Sequence, residues 1–315
     1  MSAPSLPQVP VTVAILTFKR EHLLQPMVEA VAHQCVELDA DISIVVVDND
    51  PARSAEPIIA PLTQRYRLRY VNEPTPGIAV ARNAALRSAG DSRLLVFIDD
   101  DELPEPGWLR HLLTHWEKAR CEVVVGPQDF VLPDPVPDTW VIASGLFDNS
   151  RHPTGSRRQG ASSANLLLDL DFLRAHNLSF DARLGLAGGE DTLLAHQILA
   201  AGGRIEWCNE AIVSEPVPLE RITRQWMRQR VYRSGASWAR AVIVTTPAGK
   251  KRFIARAKIA VRSVIRIILS GVQLGYGLLR RDERRVARQA RTIYSLAGAL
   301  SALVGARQVE DYSRN

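Results

Sequence analysis

The sequence predicts an α/β fold, with a mixed but mostly parallel central sheet flanked by helices and a basic helical appendage at the C-terminal end. Three observations predict it. Short β-branched apolar runs, VTVAILT, ISIVVV and LLVFI, each end in polar residues and lead into segments of helical periodicity. The 315-residue chain is 46% apolar and 23% charged, a globular composition with room for a large core. Its formal charge of +5 is unevenly spread: residues 250–291 hold thirteen Lys or Arg against Asp282 and Glu283, so the rest of the chain is net acidic.

Taken in order, Val11–Thr17 and residues 42–47 read as buried parallel strands. Between them, Leu23, Met27, Ala30 and Val31 fall at helical spacing within residues 22–38. Residues 67–71 form a third strand, 78–89 a helix and 94–98 the next central strand. This alternation, through about residue 125, places ligands at the carboxyl ends of the strands. Residues 128–160 are rich in Pro, Asp, Gly and Arg and read as long loops over one sheet edge, a substrate-facing region. A strand over 162–168 follows, then a helix over 191–201 that stops at Gly202-Gly203, and a strand over 204–208. Residues 219–234 form a basic amphipathic helix, and after Pro247 two helices span 250–279 and 282–306. The expected organisation is a disordered Pro/Ser-rich N-terminus over 1–10, a main domain over 11–240 and a tail over 250–306.

Cys35, Cys121 and Cys208 have no CxxC spacing, which excludes a disulfide framework or zinc ribbon and fits a reducing compartment. Residues 1–10 lack the basic and apolar regions of a secretory signal, so a cytoplasmic body is expected. Two uncharged runs, 267–279 and 292–306, fall short of the roughly 20 residues that span a bilayer. GxxxxGK[ST] is absent and no GxGxxG follows the first strand, which removes P-loop and dinucleotide chemistry.

Asp99-Asp100-Asp101 directly follows LLVFI. Adjacent carboxylates repel unless a cation neutralises them. Asp99 and Asp101 share a side if the chain remains extended, and such oxygen donors suit Mg2+ or Mn2+ held with substrate phosphates. The alternative is a solvated acidic turn or a helix N-terminus. In Gly188-Gly189-Glu190-Asp191 the glycines permit close backbone approach to a ligand, and a carboxylate there serves as a general base or simply caps the next helix. Asp48-Asn49-Asp50, ending ISIVVV, is placed either to meet a ribose or base or to form a turn. Arg82-Asn83 defaults to a solvated helix face, and His111 with His115 in HLLTH has helical metal spacing but no evident third ligand.

Together, VTVAILTFKR, VVVDND, PGIAVARNAALRSAG, LVFIDDDELPEPGWL and FDARLGLAGGEDTLLAHQILAAGG resemble, in order and spacing, the signature segments of family 2 glycosyltransferases over roughly residues 10–240. The resemblance implies a GT-A type nucleotide-diphospho-sugar transferase fold for residues 11–240. It also implies that Thr17, Arg20, Asp48, Arg82 and Asp100 hold a nucleotide sugar, expected to be UDP-linked, and that Asp99 and Asp101 hold the metal. Asp191 looks like the catalytic base and Glu190 like a residue that orients the acceptor. Inversion at the anomeric carbon then needs one base and no covalent intermediate. The segment from Arg224 to Gly235 resembles the family's post-catalytic helix, whose arginines, Arg228 among them, meet the leaving diphosphate or form a solvated face.

Two departures stand out. Where many relatives carry a metal-shell His, this chain has Ile212-Val213-Ser214-Glu215-Pro216, leaving Glu215 or a further water as the replacement. The processive QxxRW order is missing, which favours transfer of single sugars. SEPVPLER and VYRSGASWAR resemble bacterial exopolysaccharide glycosyltransferases of the succinoglycan-assembly type.

The tail interleaves Lys250, Lys251, Arg252, Arg256, Lys258, Arg262 and Arg266 with apolar residues. Such a helix suits an anionic membrane surface; packing on the main domain or self-association is the alternative. Without interleaved aromatics it does not suit nucleic acid. The expected protein is a metal-dependent, inverting, non-processive glycosyltransferase acting on a glycan or lipid-linked acceptor in cell-surface polysaccharide biosynthesis. Its expected place is cytoplasmic, peripheral to the inner face of the cell membrane. A non-catalytic nucleotide-sugar-binding scaffold of a glycan assembly complex is the alternative. A sugar-phosphate nucleotidyltransferase is disfavoured because TFKRE offers no Gly-rich loop.

Overall fold

The computed structural model describes residues 6–304; residues 1–5 of the expected N-terminal segment and 305–306 of the expected tail lie outside the described residues. The chain runs β1 (Val11–Thr17), α1 (Glu21–Val36), β2 (Ile42–Asp48), α2 (Glu56–Leu62), β3 (Leu68–Asn72), α3 (Ile78–Ser88) and β4 (Leu94–Asp99). Next come β5 (Leu103–Pro104), α4 (Trp108–Ala119), β6 (Val123–Val125), β7 (Gln128–Val131), α5 (Thr139–Ala143), β8 (Asn165–Asp169) and α6 (Leu170–Ala175). The remaining elements are α7 (Glu190–Ala200), β9 (Ile205–Trp207), β10 (Val213–Pro216), α8 (Arg224–Thr245), α9 (Lys250–Arg280) and α10 (Glu283–Leu303).

Seven strands form a sheet in the order β3-β2-β1-β4-β8-β6-β9. β1 pairs in parallel with β2 and β4, and β2 with β3, whereas β8 lies antiparallel to both β4 and β6. The sheet is therefore mixed and mostly parallel, as the strand patterns predict. Strand order reverses at β1, so the carboxyl ends of β1, β2 and β4 border a topological switch point, where open α/β sheets bind ligands. A second sheet of short strands has the order β5-β10-β7.

Two compact units divide the chain: Met1–Asp129, Asn149–Leu186 and Gln197–Glu215 make the first, and Phe130–Asp148, Ala187–His196 and Pro216–Asn315 the second. In the first, every position of β1 is buried, which is why its sequence runs apolar without alternation. α4 turns Trp108, Leu109, Leu112, Leu113 and Trp116 into the core on one helical face. Full burial of each such side chain contributes about 1.5–3 kcal/mol. Trp108 Nε1 donates to Asn165 Oδ1 at 2.9 Å, and the Asn165 amide donates to the carbonyls of Pro127 and Ala211. Leu6 and Val9 pack against this core.

In the second unit the region expected as loops carries α5, capped by Asp138, whose carboxylate accepts from the Trp140 amide at 2.9 Å. The Pro and Asp residues around it hide a helix of only five residues, too short for a periodic signal. α8 starts at Arg224, later than residue 219, because Thr223 caps it by accepting from the Trp226 amide at 3.2 Å. Leu219–Arg221 form a separate 3-10 turn. α8 also runs past Gly235 to Thr245, since that glycine interrupts propensity without breaking the helix.

Gly235 has a packing reason. A Cβ there would lie 1.9 Å from the Ser295 carbonyl oxygen on α10, and one at Gly298 would lie 1.9 Å from the Tyr232 carbonyl oxygen on α8. The two helices touch backbone to backbone. Gly→Ala in an open helix is stabilising by about 0.5–1 kcal/mol, whereas overpacking costs about 1–3 kcal/mol. Gly235→Ala and Gly298→Ala should therefore lower the denaturation midpoint, while Gly271→Ala, with nothing within 4 Å of its Cβ position, should hold or raise it. Equal midpoints for all three in a urea titration would contradict this close approach.

Candidate active site

In the first unit, the parallel register brings sequence-distant residues to one level: Thr17 is paired with Asp48, and Leu16 with Asp99. The strand ends thus assemble Thr17, Asp48 and the acidic triplet along one rim. Arg20, just past β1, reaches this rim too: its Nη1 lies 2.7 Å from Asp100 Oδ1 and 2.9 Å from Asp101 Oδ2.

Five carboxyl groups crowd this place. Asp100 is buried, and burial raises its carboxyl to about 6; Asp101 adds to the rise, while Arg20 and the Thr17 hydroxyl oppose it. Glu102 is fully buried and stands well above the usual carboxylate range, first through burial and then through the charge of Asp99. Its Oε2 accepts from the Asp99 amide at 3.1 Å, and its Oε1 accepts from Gln128 Nε2 at 2.7 Å. The same Gln128 amide donates to Glu215. The pairing of β10 with β5, Ser214 with Leu103, explains how Glu215 arrives next to Glu102. Asp99 and Asp101 keep partly exposed carboxylates in front of this buried layer. Hard oxygen donors held together against their own repulsion fit a divalent cation of the Mg2+ or Mn2+ type.

The α3 motif is engaged, not solvated. Arg82 is buried, with Nη2 3.9 Å from Asp99 Oδ1 and its guanidinium 5.7 Å from the centre of the Phe180 ring. Asn83 exchanges two hydrogen bonds with the Phe180 backbone, donating to its carbonyl at 2.7 Å and accepting from its amide at 3.0 Å. Both residues thereby tie α3 to the acidic rim and to the start of the FDARLG segment.

Asp48 forms the turn that is one of the two readings of its motif. Its carboxylate is fully buried and is taken up within the chain: Oδ1 accepts from the Asp50 amide at 2.9 Å, and Oδ2 from the Ala55 amide and the Tyr70 hydroxyl. Burial, followed by the bond to Asp48, pushes the Tyr70 hydroxyl up. Asn49, in the same motif, donates to the carbonyls of Glu73 and Thr75 and accepts from the Gly77 amide at 2.9 Å. Gly77 has φ 135°, which glycine alone adopts without strain, and it opens α3. In this conformation Asp48 and Asn49 build the loop that presents α3.

In the second unit, Gly188 and Gly189 have φ of 73° and 89° and lead into α7. A Cβ at Gly189 would lie 2.4 Å from the Ser237 hydroxyl oxygen on α8, so the loop and this helix are in close contact. Glu190 is buried, and Asp191 is half-buried with its Oδ1 accepting from the Thr192 amide at 2.5 Å. On α8, Arg228 is exposed, whereas Arg233, one turn before Ser237, is buried. Sequence reasoning singled out Arg228; only the packed face of the helix separates the two.

His115, by contrast, gains neighbours that HLLTH alone did not reveal. Its Nε2 lies 3.1 Å from Glu206 Oε2, and Cys121 completes a group whose ligand atoms lie within 4.8 Å of one another. Arg204 stands 3.7 Å from the same carboxylate, and burial pushes the Cys121 thiol up to about 12. The ion pairing of Glu206 with His115 and Arg204 accounts for this group without a metal.

Residues 12–172 match the family model described as Glycosyl transferase family 2. The chain is 30% identical over 313 residues, 96% of its own length and 95% of the relative, to the succinoglycan biosynthesis protein ExoM of Rhizobium meliloti strain 1021. Among solved structures it resembles the mannosyltransferase PcManGT from Pyrobaculum calidifontis in complex with GDP-Man and Mn2+, with TM-score 0.61 and 18% identity over 95% of this chain and 88% of that one. It also resembles S. aureus TarS 1–349 in complex with UDP, with TM-score 0.52 and 14% identity over 94% and 92% of the two chains.

The electrostatics of the triplet can be read out without substrate. An Asp raised to about 6 from 3.8 favours the protonated form in the fold, so its contribution to stability is present at low pH and lost as pH rises through 6. In metal-free protein, the stability of the wild type relative to Asp100→Asn should fall between about pH 4 and 7. Urea denaturation across that range checks it, and a difference independent of pH would contradict the burial of this carboxyl.

Proposed function

Because the chain belongs to glycosyltransferase family 2 and has the GT-A fold, we propose that it moves one sugar at a time from a UDP-sugar to a hydroxyl of a glycan or lipid-linked acceptor, with inversion at the anomeric carbon. The observation that carries this reading is the crowded carboxyl cluster closing β4 at the switch point beside β1. The full-length likeness to a succinoglycan biosynthesis protein supports a role in exopolysaccharide assembly. The proposed workplace is the cytoplasmic side of the cell membrane, with α9 as the support for peripheral attachment.

Asp99 and Asp101 would hold Mg2+ or Mn2+, which when bound offsets the charge of the diphosphate as it leaves. Thr17 and Arg20 at the end of β1, with Arg82 on α3, line the donor's side of the rim. Arg20 carries the charge that a diphosphate needs and holds Asp100 and Asp101 in place meanwhile. Asp48 acts by positioning, through the loop that it and Asn49 fix. Arg228 contributes positive charge toward the diphosphate from α8.

Asp191 accepts the proton of the acceptor hydroxyl as the new oxygen–carbon bond forms and the bond from the anomeric carbon to the phosphate oxygen breaks. Direct displacement of this kind inverts the centre and leaves the proton on Asp191, with Glu190 orienting the acceptor. The glycines before them let the loop come close to a ligand, and Thr192 holds one Asp191 oxygen in a fixed direction.

Two variants separate these roles. Asp191→Asn should lower turnover by about 10²–10⁴-fold while leaving donor affinity intact, and Asp101→Ala should abolish metal-dependent donor binding. Release of UDP from a panel of UDP-sugars, with calorimetry for binding, measures both. Turnover surviving both changes would remove the assigned roles, and donor binding with no turnover in the wild type would favour the scaffold reading.

A further inference from the structure

α9 is a 31-residue helix with two unlike long faces. One face is committed to the fold. Ile259, Ser263, Ser270 and Gly277 are buried along it, and Ile259 joins a small core with Ala239 of α8 and Ala299 of α10. Ser263, Ser270 and Gly277 are small enough to let α9 lie close to its neighbours: a Cβ at Gly277 would lie 3.1 Å from the Val286 side chain. The opposite face is apolar and uncovered. Phe253, Val261, Val264, Ile268, Val272 and Leu279 are 47% to 86% exposed. Their spacing of three, four, seven or eight residues places them on one stripe, which runs about 40 Å at 1.5 Å per residue. A stripe of that length is not a scatter of single exposed side chains; it marks a surface with a partner.

Charge identifies the partner. Residues 250–280 contain eight Lys or Arg and no Asp or Glu. Arg252 is used internally, donating to the Thr246 carbonyl, and Arg256 likewise donates to that of Leu303. Lys258, Arg262 and Arg266 are exposed, and helical spacing sets them on the strip between the packed face and the apolar one. A second copy of this helix would bring cations against cations. A surface that is apolar inside and anionic outside is the complement, and no described helix is long and apolar enough to cross a membrane.

We propose that α9 docks flat on an anionic lipid bilayer, its Phe253–Leu279 stripe in the acyl boundary and Lys258, Arg262 and Arg266 among the headgroup phosphates. Long cationic side chains reach the phosphates from beside a buried apolar stripe. The inference rests on the peripheral location proposed above and names the surface that provides it. It does not depend on the assignment of Asp101 or Asp191.

Sedimentation of the full-length protein with phosphatidylcholine vesicles, with and without phosphatidylglycerol, tests it. The wild type should bind the anionic vesicles, weaken with added salt, and bind neutral vesicles poorly. Ile268→Glu with Val272→Glu should reduce binding at least about tenfold, and Arg262→Gln with Arg266→Gln about fivefold for each residue, with a shallower salt dependence. Both variants should keep the wild-type denaturation midpoint and UDP release, so that loss of lipid binding is separable from misfolding and from failure of the catalytic reading. Unchanged vesicle binding by the double glutamate variant would overturn the proposal. So would the absence of lipid binding alongside a concentration-dependent dimer that this variant dissociates, which would assign the stripe to a second copy.

Discussion

The constraint on which the first unit turns is the repulsion among carboxyl groups at the end of β4. Asp99, Asp100, Asp101, Glu102 and Glu215 are brought together by the backbone, not by mutual attraction, and the fold has to hold them there. It does so with positive charge at the rim, from Arg20 and Arg82, and with a half-buried amide, Gln128, shared by Glu102 and Glu215. Burial places the proton equilibria of Asp100 and Glu102 above their ordinary range, which lessens the charge that must be held. Apolar side chains at these positions would be less costly to hold, which points to a ligand as the reason for the arrangement.

Much of the surrounding architecture serves to fix that rim. The register of β1 against its two parallel neighbours sets its height. Asp48 and Asn49 are spent on the loop before α3, and α3 in turn brings Arg82 to Asp99 and Asn83 to Phe180. Polar residues that are fully paired in a buried setting rigidify their surroundings. The rim is therefore supported from below by Asn49 and Asn83, whose side-chain amides are taken up by the backbone.

The sheet and the position of the acidic triplet were legible because both are local signals: a buried strand is a run of apolar residues, and its end is where that run stops. Apart from α4, whose twelve residues carry a clear apolar face, the elements that escaped are mostly short or depend on distant partners. Residues 123–125 offered only three valines, and α5 five residues among prolines. The network of Glu102, Gln128 and Glu215 joins residues far apart in the chain, and only the strand pairing reveals it. Asp48 shows the converse limit: residue type and place fit a ligand contact or a turn, and the bonds that its carboxylate accepts from Tyr70 and Ala55 follow from no local pattern. Arg228 and Arg233 fall on one basic helix, and which of them turns inward is decided by what α8 packs against.

The glycine contacts of the second unit have a mechanical meaning. Gly235 and Gly298 leave α8 and α10 without an intervening layer of deformable side chains, and Gly189 sets the double-glycine loop directly on Ser237 of α8. α9 meets α10 at Gly277 through the side chains of Val286 and Arg285, a looser contact. Contacts without such a layer transmit displacement instead of absorbing it. The turn that carries Glu190 and Asp191 therefore rests on a helix pair, α8 with α10, that has little room to shift.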